Sequence, residues 1–190
     1  MGNREDLMAG ARKAILERGL AKVTARDIAS AAGVSLAAIG YHFGSKDRLI
    51  TEALTETMGT SVGDAFEAAI RTAGEGRSLA ESAPFSWDGM VDAVLRHRDE
   101  ILLSFENAVR IARSEESQQF MAETVDRAHV DLATTVSEVY PELSEAEAKA
   151  VAKLYFGVFQ GIAVLSLIAP TGDLMDGNDF ALAVKALAGR

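Results

Sequence analysis

The chain has 190 residues, of which 48% are hydrophobic, so it can bury a sizeable core and disorder over most of its length is not expected. It contains no cysteine, which excludes disulfide bonds and thiolate metal sites. The formal net charge is −9, yet residues 1–50 hold eight Lys or Arg against five Asp or Glu, which favours a polyanionic partner for that part alone.

Three short helices are predicted in the first fifty residues. The first covers Arg4 to Arg18, with apolar residues at helical spacing. The second begins after an N-cap at Thr24, where Asp27 completes a capping box, and it ends at Gly33. Ser35 is the expected N-cap of the third. Two helices joined by a glycine-containing turn are typical of a helix-turn-helix.

A fourth helix is predicted after Ser45, and the pattern loosens from Gly59 onward. The stretch Thr72 to Pro84 is rich in Gly and Ser and is expected to be a connector. Five further helices are predicted over Trp87–His97, Ile101–Ala112, Gln118–Tyr140, Ser144–Ala169 and Phe180–Leu187. The chain is therefore predicted to be all-α, with about nine helices in two domains, residues 1–48 and 49–190.

The most apolar run is Leu154 to Ile168, with 15 residues that include Gln160. A membrane span needs about 20 apolar residues. We therefore expect a buried helix and no membrane partner.

The segment "VTARDIASAAGVSLAAIGYHFGSKDRLI" resembles the N-terminal DNA-binding domain of TetR/AcrR-family transcriptional regulators. The matching features are Val23-Thr24, Ile28-Ala29, Ala32-Gly33-Val34-Ser35, Tyr41-His42-Phe43, Ser45-Lys46 and Leu49. The resemblance covers roughly residues 5–55. It implies a TetR-like fold with a C-terminal effector-binding and dimerisation domain. It also implies a cytoplasmic homodimer, most often a repressor, that binds a palindromic operator on double-stranded DNA and releases it when a small molecule binds.

The third helix is the expected recognition helix. Its small side chains let a helix lie deep in the major groove, where Leu36 and Ala37 can touch thymine methyl groups. Lys46 lies in the first turn of a helix, where a cation is disfavoured unless a phosphate completes the site. The predicted DNA-binding residues are Thr24, Arg26, Ser35, Leu36, Ala37, Ala38, Gly40, Tyr41, His42 and Lys46.

Gly40 departs from the family pattern, in which this position often carries an aromatic or polar side chain. Glycine costs up to about 1 kcal/mol of helix stability relative to alanine. Two interpretations stay open: the helix approaches DNA more closely at Gly40, or a contact is missing there.

The long helix after Ser144 is apolar nearly all round in its second half, so it must be covered on every side. The resemblance implies that the last two long helices of each subunit form a four-helix dimer interface. Gly157 and Gly161, four residues apart, would let a partner helix approach closely, although packing within the core is the alternative explanation. The predicted interface residues are Gly157, Gly161, Val164, Leu165 and Ile168.

The effector pocket is expected to be an apolar cavity with a few hydrogen-bonding groups, which predicts a largely apolar effector. Its predicted residues are Trp87, Met90, His97, Ser104, Phe105, Met121, His129, Tyr155, Phe159 and Gln160. No cofactor or metal is expected, because the three histidines, His42, His97 and His129, share no ligand spacing.

Two other functions are weighed against a regulator. A helical protein-interaction module with a vestigial helix-turn-helix is favoured by Gly40 and by the weak basic charge. An all-α enzyme is the other, but the chain has no GxSxG, Walker, HExxH or Rossmann glycine pattern.

Overall fold

The computed structural model describes residues 3–170 and 172–189, and all regular structure in these ranges is helical. The outermost ends of the two predicted domains, residues 1–2 and 190, lie outside the described ranges. The helices are α1 Asn3–Arg18, α2 Ala25–Ala32, α3 Ala37–Phe43, α4 Lys46–Met58, a π-helical turn Gly59–Gly63, α5 Asp64–Gly74, α6 Leu79–Arg96, α7 Arg98–Ile111, α8 Glu115–Val139, α9 Glu145–Ile168 and α10 Gly177–Leu187. Since α4, the π-turn and α5 follow one another without a break, the described ranges form nine continuous helical segments. The predicted all-α fold is confirmed.

The chain divides into two compact units. The head unit contains residues up to Thr60 together with Asp99–Glu123, and the body unit contains Ser61–Arg98 and the residues from Thr124 onward. The head unit therefore includes α7 and the start of α8 in addition to the first four helices. The functional division at residue 48 stays a prediction.

The head unit is built around one buried apolar cluster. Leu7, Ile28 and Leu49 come from α1, α2 and α4 and are fully buried within it. Phe43, at the end of α3, is also buried there, and Leu103 of α7 packs against the cluster. Helices α2 and α3, with eight and seven residues, are marginal alone and are held by burial in this shared core.

Capping signals placed several helix starts correctly. The Thr24 hydroxyl accepts from the Asp27 N–H at 3.2 Å, and the Asp27 carboxylate accepts from the Thr24 N–H at 3.0 Å. Ser45 caps α4 by accepting from the Arg48 N–H at 3.0 Å. Gly33 ends α2 in the left-handed region with φ of 68°, where only glycine is unstrained.

Two predicted boundaries are wrong. The N-cap of α3 is Leu36, which makes no side-chain cap, rather than Ser35; the Ala38 N–H instead bonds the Ser35 carbonyl in a tighter first turn. The predicted connector Thr72–Pro84 is mostly helical. It shrinks to residues 75–78, because Ser78 and Glu81 form a capping box that opens α6 ahead of Pro84.

The body unit has an aromatic interior. The Phe66 ring of α5 stacks on Phe159 of α9 at 5.1 Å between centroids and lies 6.5 Å from Tyr155. Trp87 of α6 stacks on Phe180 of α10 at 4.7 Å, so the last helix is held to α6. Apolar burial between α5, α6, α9 and α10 is therefore what orders this unit.

Candidate functional site

Helix α3 has one buried face and one exposed face. Ile39 and Phe43 lie in the head core, whereas Leu36 is 48% exposed and Tyr41 is 86% exposed. Ser35, Ala37 and Gly40 are also exposed. The exposed set (Ser35, Leu36, Ala37, Gly40 and Tyr41), which we call the α3 face, presents small side chains at its centre and a tyrosine at its end.

Ala38 is the exception among the predicted DNA-binding residues. Its side chain is buried in the head core with Ile39. Its burial leaves little of the side chain for a base edge to meet, and a DNA contact by Ala38 stays a prediction.

The N-termini of α2 and α4 are joined by Lys46. Its Nζ donates to the carbonyl oxygen of Val23 at 3.2 Å, one residue before the N-cap Thr24. The Lys46 ammonium group therefore already has a backbone partner, which the sequence did not predict. It also lies beside the capped N-termini of α2 and α4. His42 is half-buried and meets the Tyr41 ring edge-on at 4.9 Å between centroids.

The Thr24 hydroxyl is already engaged by Asp27. It donates to the Asp27 carboxylate at 2.7 Å, in addition to accepting from the Asp27 N–H. These hydrogen bonds, followed by the charge of Arg18, hold the pKa of Asp27 below its ordinary value. A DNA contact by Thr24 would therefore compete with its cap.

The basic side chains of the head unit differ in whether an acidic side chain already pairs with them. Arg4 and Arg18 form ion pairs with Glu52 and Asp27. The side chains of Arg26 and Lys22 are exposed and have no ion-pair or hydrogen-bond partner in the described part of the chain. Sequence reasoning found Arg26 but missed Lys22, although its place next to Val23-Thr24 was the available signal.

One face of α9 is apolar and exposed. The residues share a stripe with spacings of three and four, which is one side of a helix. They are Leu154, Gly157, Gly161, Leu165 and Ile168, and we call them the α9 stripe. A Cβ placed on either glycine would meet no atom of this chain within 4 Å.

The sequence predicted that α9 is buried on every side. In the single chain one side of α9 is exposed. By length and composition it is the one helix of the described residues that could cross a membrane, and only 33% of its most apolar 18-residue window is buried. Ile168 is 73% exposed, and Val164 beside the stripe is half-buried.

The predicted effector residues fall in both units. Ser104, Phe105 and Met121 belong to the head unit, where the Met121 sulfur accepts from the Thr55 hydroxyl at 3.6 Å. The others belong to the body unit, where Met90, Tyr155 and Phe159 are buried. His129, half-buried on α8, meets the Phe156 ring edge-on at 4.9 Å between centroids.

Two of the predicted effector residues, Gln160 and Trp87, do not offer a free polar group to the interior of the body unit. Gln160 is exposed on α9, about 100° around the helix from the buried Phe159, and its role in an effector pocket stays a prediction. The Trp87 Nε1–H donates to the Met175 carbonyl at 2.6 Å, which leaves it no donor for a ligand.

Sequence reasoning missed two interior residues of the body unit. Phe66 lay in the stretch where the helical pattern loosened, and Ser86 lay just beyond the supposed connector. The Ser78 capping box was the signal that would have placed Ser86 on a helix.

A surface groove of about 510 Å³ runs along α5 and α6. Its uncharged lining consists of four alanines, Thr72, Phe85 and Gly89. Its only charged or imidazole-bearing lining residues in the described structure are Arg77, Arg96 and His97. Among the described residues there is no group of three His, Asp or Glu side chains that could hold a metal ion.

Comparison with known proteins supports the geometry of the head. Residues 7–53 match the family model described as bacterial regulatory proteins, tetR family. No curated protein matches the chain.

Solved structures resemble the chain over nearly its whole length, at identities that establish the fold alone. A transcriptional regulator from Rhodococcus sp. RHA1 is 16% identical with a TM-score of 0.65, covering 97% of this chain and 94% of its own. The multidrug binding protein EbrR, solved with imidazole, is 17% identical with a TM-score of 0.64, covering 97% and 93%. A TetR-family regulator from Rhodococcus sp. is 22% identical with a TM-score of 0.58, covering 98% of both chains.

Proposed function

We propose that this chain, whose residues 7–53 match the family model of bacterial regulatory proteins, tetR family, binds a palindromic operator as a homodimer and regulates transcription from it. The observation that carries the proposal is the α3 face, which is exposed while the other side of the same helix is buried in the head core. An exposed helix face with small side chains fits the major groove, where base edges are read.

The phosphate contacts are proposed to flank that face. Lys22 and Arg26 supply exposed cations at the start of α2, and Tyr41 supplies an exposed hydroxyl at the end of α3. Lys46 and His42 lie next to these groups, and the positive ends of α2 and α4 add to the attraction. Phosphate contacts fix the register of the helix on DNA, and the α3 face reads the sequence.

The α9 stripe supports the homodimer. Its exposed apolar side chains lose contact with water when a second copy packs on them, and the two glycines let the helix axes approach closely. Helix α10 also exposes two leucines, Leu182 and Leu187.

The body unit is proposed to bind a small, largely apolar effector and to release DNA in response, as a ligand-released repressor in the cytoplasm. Release requires that the effector binds one conformation more tightly than another. The aromatic interior around Phe66, Tyr155 and Phe159 supports an apolar ligand. We propose no enzymatic activity, cofactor or resident metal.

A salt-dependent DNA titration tests this function. DNA fragments flanking the protein's own gene should include one that binds more tightly than random sequence at physiological salt. In the Arg26→Ala variant we expect weaker binding to every fragment and a salt slope smaller by about 1, because one phosphate contact is lost. The matched Arg96→Ala change in the body unit should leave both unchanged.

Equal binding of all fragments would contradict an operator-binding regulator and would favour the interaction module with a vestigial helix-turn-helix. A specific fragment with an unchanged Arg26→Ala slope would remove only Arg26 from the phosphate contacts.

The two interpretations of Gly40 are separated by Gly40→Ala. No atom lies within 4 Å of the added Cβ, so we expect the free energy of unfolding to rise by about 0.5–1 kcal/mol. If α3 approaches DNA most closely at Gly40, operator affinity should nevertheless fall. An unchanged or higher affinity in a fluorescence-anisotropy titration would show that a contact is merely missing there.

A further inference from the structure

Most buried polar side chains of the body unit have partners. The Ser82 hydroxyl lies 2.6 Å from the Tyr140 hydroxyl, Thr135 donates to Glu67 at 2.8 Å, and Ser166 donates to the Ala163 carbonyl at 2.8 Å. Two hydroxyls, Ser86 Oγ and Tyr155 OH, are buried with no hydrogen-bond partner in the described part of the chain. We call them the hydroxyl pair.

The hydroxyl pair lies where α6 and α9 pack together. Ser86 is fully buried on α6 and Tyr155 is 3% exposed on α9. The two residues lie on the buried faces of these packed helices; the Ser86 hydroxyl is near enough to lower the Tyr155 pKa as a weak hydrogen-bonding neighbour, but the two hydroxyls do not meet the geometric limits of a hydrogen bond. A buried hydroxyl that has lost water without gaining a partner destabilises a fold, so an orphaned pair calls for an explanation.

The surroundings of the pair are aromatic and uncharged. Phe66 lies 6.5 Å from the Tyr155 ring and stacks on Phe159, and the fully buried Met90 lies one turn after Ser86 on α6. No charged side chain is among the buried residues that the structure describes in the body unit. Burial raises the pKa of Tyr155 to about 12, against a smaller opposing effect of Ser86, so this hydroxyl stays a donor at neutral pH.

We propose that the hydroxyl pair is the polar anchor of the effector site, and that the effector is a neutral aromatic molecule with one hydrogen-bonding group. Two neighbouring hydroxyls can donate to and accept from a single hydroxyl or carbonyl group. A charged group would lose its hydration there without gaining a counter-charge, which is strongly unfavourable. The proposal rests on the proposed function, because it supplies the chemical class of the effector.

Access to the pair requires a change in the body unit, since both hydroxyls are buried. The ligand-bound form is therefore more open than the form described here. An effector that binds only the open form shifts the population toward it, which is the differential affinity that release of DNA requires.

The test uses phenol as the probe with the full-length chain. Phenol should raise the melting temperature, toluene, which has nearly the same shape without the hydroxyl, should raise it less, and benzoate should not raise it. Tyr155→Phe should weaken phenol binding about tenfold, which is the loss of one hydrogen bond to a buried group. Without ligand, Tyr155→Phe should be at least as stable as the wild type, because it removes a hydroxyl that has no partner.

Ser86→Ala is the second variant, and it should also weaken phenol binding while it retains the unliganded stability. The proposal is overturned if phenol does not bind the wild type, or if both variants bind it as the wild type does. It is also overturned if benzoate is preferred and its effect is lost in Arg96→Ala, which would place the ligand in the groove along α5 and α6.

DNA binding by the same wild-type sample separates the two proposals. Specific DNA binding without a phenol effect removes the hydroxyl pair from the effector site and leaves the regulator intact. A phenol effect that depends on Tyr155, without specific DNA binding, supports the site and contradicts the proposed regulator.

Discussion

The Gly161→Glu variant is expected to be a monomer that binds the operator about 100-fold or more weakly than the wild type. A dimer engages two half-sites, and the second engagement is intramolecular, which contributes a factor of about 10² to 10⁴ in apparent affinity. A glutamate at Gly161 would force the α9 stripes of two copies apart and would bury two like charges near the two-fold axis. Light scattering after size-exclusion chromatography gives the mass, and a DNA titration gives the affinity.

The fold of a single chain should survive this change. A Cβ at Gly161 meets no atom of the same chain within 4 Å, and glutamate favours a helix over glycine. The control is Gln160→Glu, which adds the same charge at the neighbouring exposed position outside the stripe and should stay dimeric. A dimeric Gly161→Glu protein would show that the α9 stripe is not the interface, and a monomeric wild type would contradict the homodimer itself.

Local signals predicted the head unit well. The reciprocal Thr24 and Asp27 hydrogen bonds, the Ser45 cap and the left-handed Gly33 are each determined by residues a few positions apart, so a sequence pattern suffices. The family resemblance covered the same segment, and the family model matches residues 7–53.

Tertiary contacts explain what the sequence did not predict in the head. Whether Ala38 faces the core or the solvent depends on how a seven-residue helix packs against its neighbours, which helical spacing alone does not set. The partner of Lys46 is the Val23 carbonyl, 23 residues away, which no local pattern indicates.

In the body unit the errors have two causes. The π-turn Gly59–Gly63 between α4 and α5 shifts the helical register. The apolar residues of α5 therefore do not continue the spacing of α4, and α5 was not predicted. Gly, Ser and Pro in the stretch before Trp87 suggested a connector, although the capping box of Ser78 and Glu81 opens α6 there. The hydroxyl pair is formed by residues of two helices, α6 and α9, so no local sequence pattern indicates it.

The α3 face also supports a prediction about DNA affinity that leaves the fold unchanged. In the Ala37→Glu variant we expect operator binding to fall by about 100-fold or more, because a carboxylate would enter a groove lined by phosphates, and placing like charges together costs several kcal/mol. Ala37 is exposed at the first position of α3, where a negative side chain interacts favourably with the helix dipole. The melting temperature should therefore be unchanged or higher while the DNA titration shows the loss.

The matched control is Ala9→Glu, the same substitution at an exposed position of α1 outside the α3 face. Both variants change the net charge equally, so general repulsion from DNA should weaken them to the same small extent. The difference between the two affinities then reports the contribution of the α3 face alone. If Ala37→Glu and Ala9→Glu bind the operator equally well, α3 does not enter the groove, and the exposed small residues of this helix require another partner.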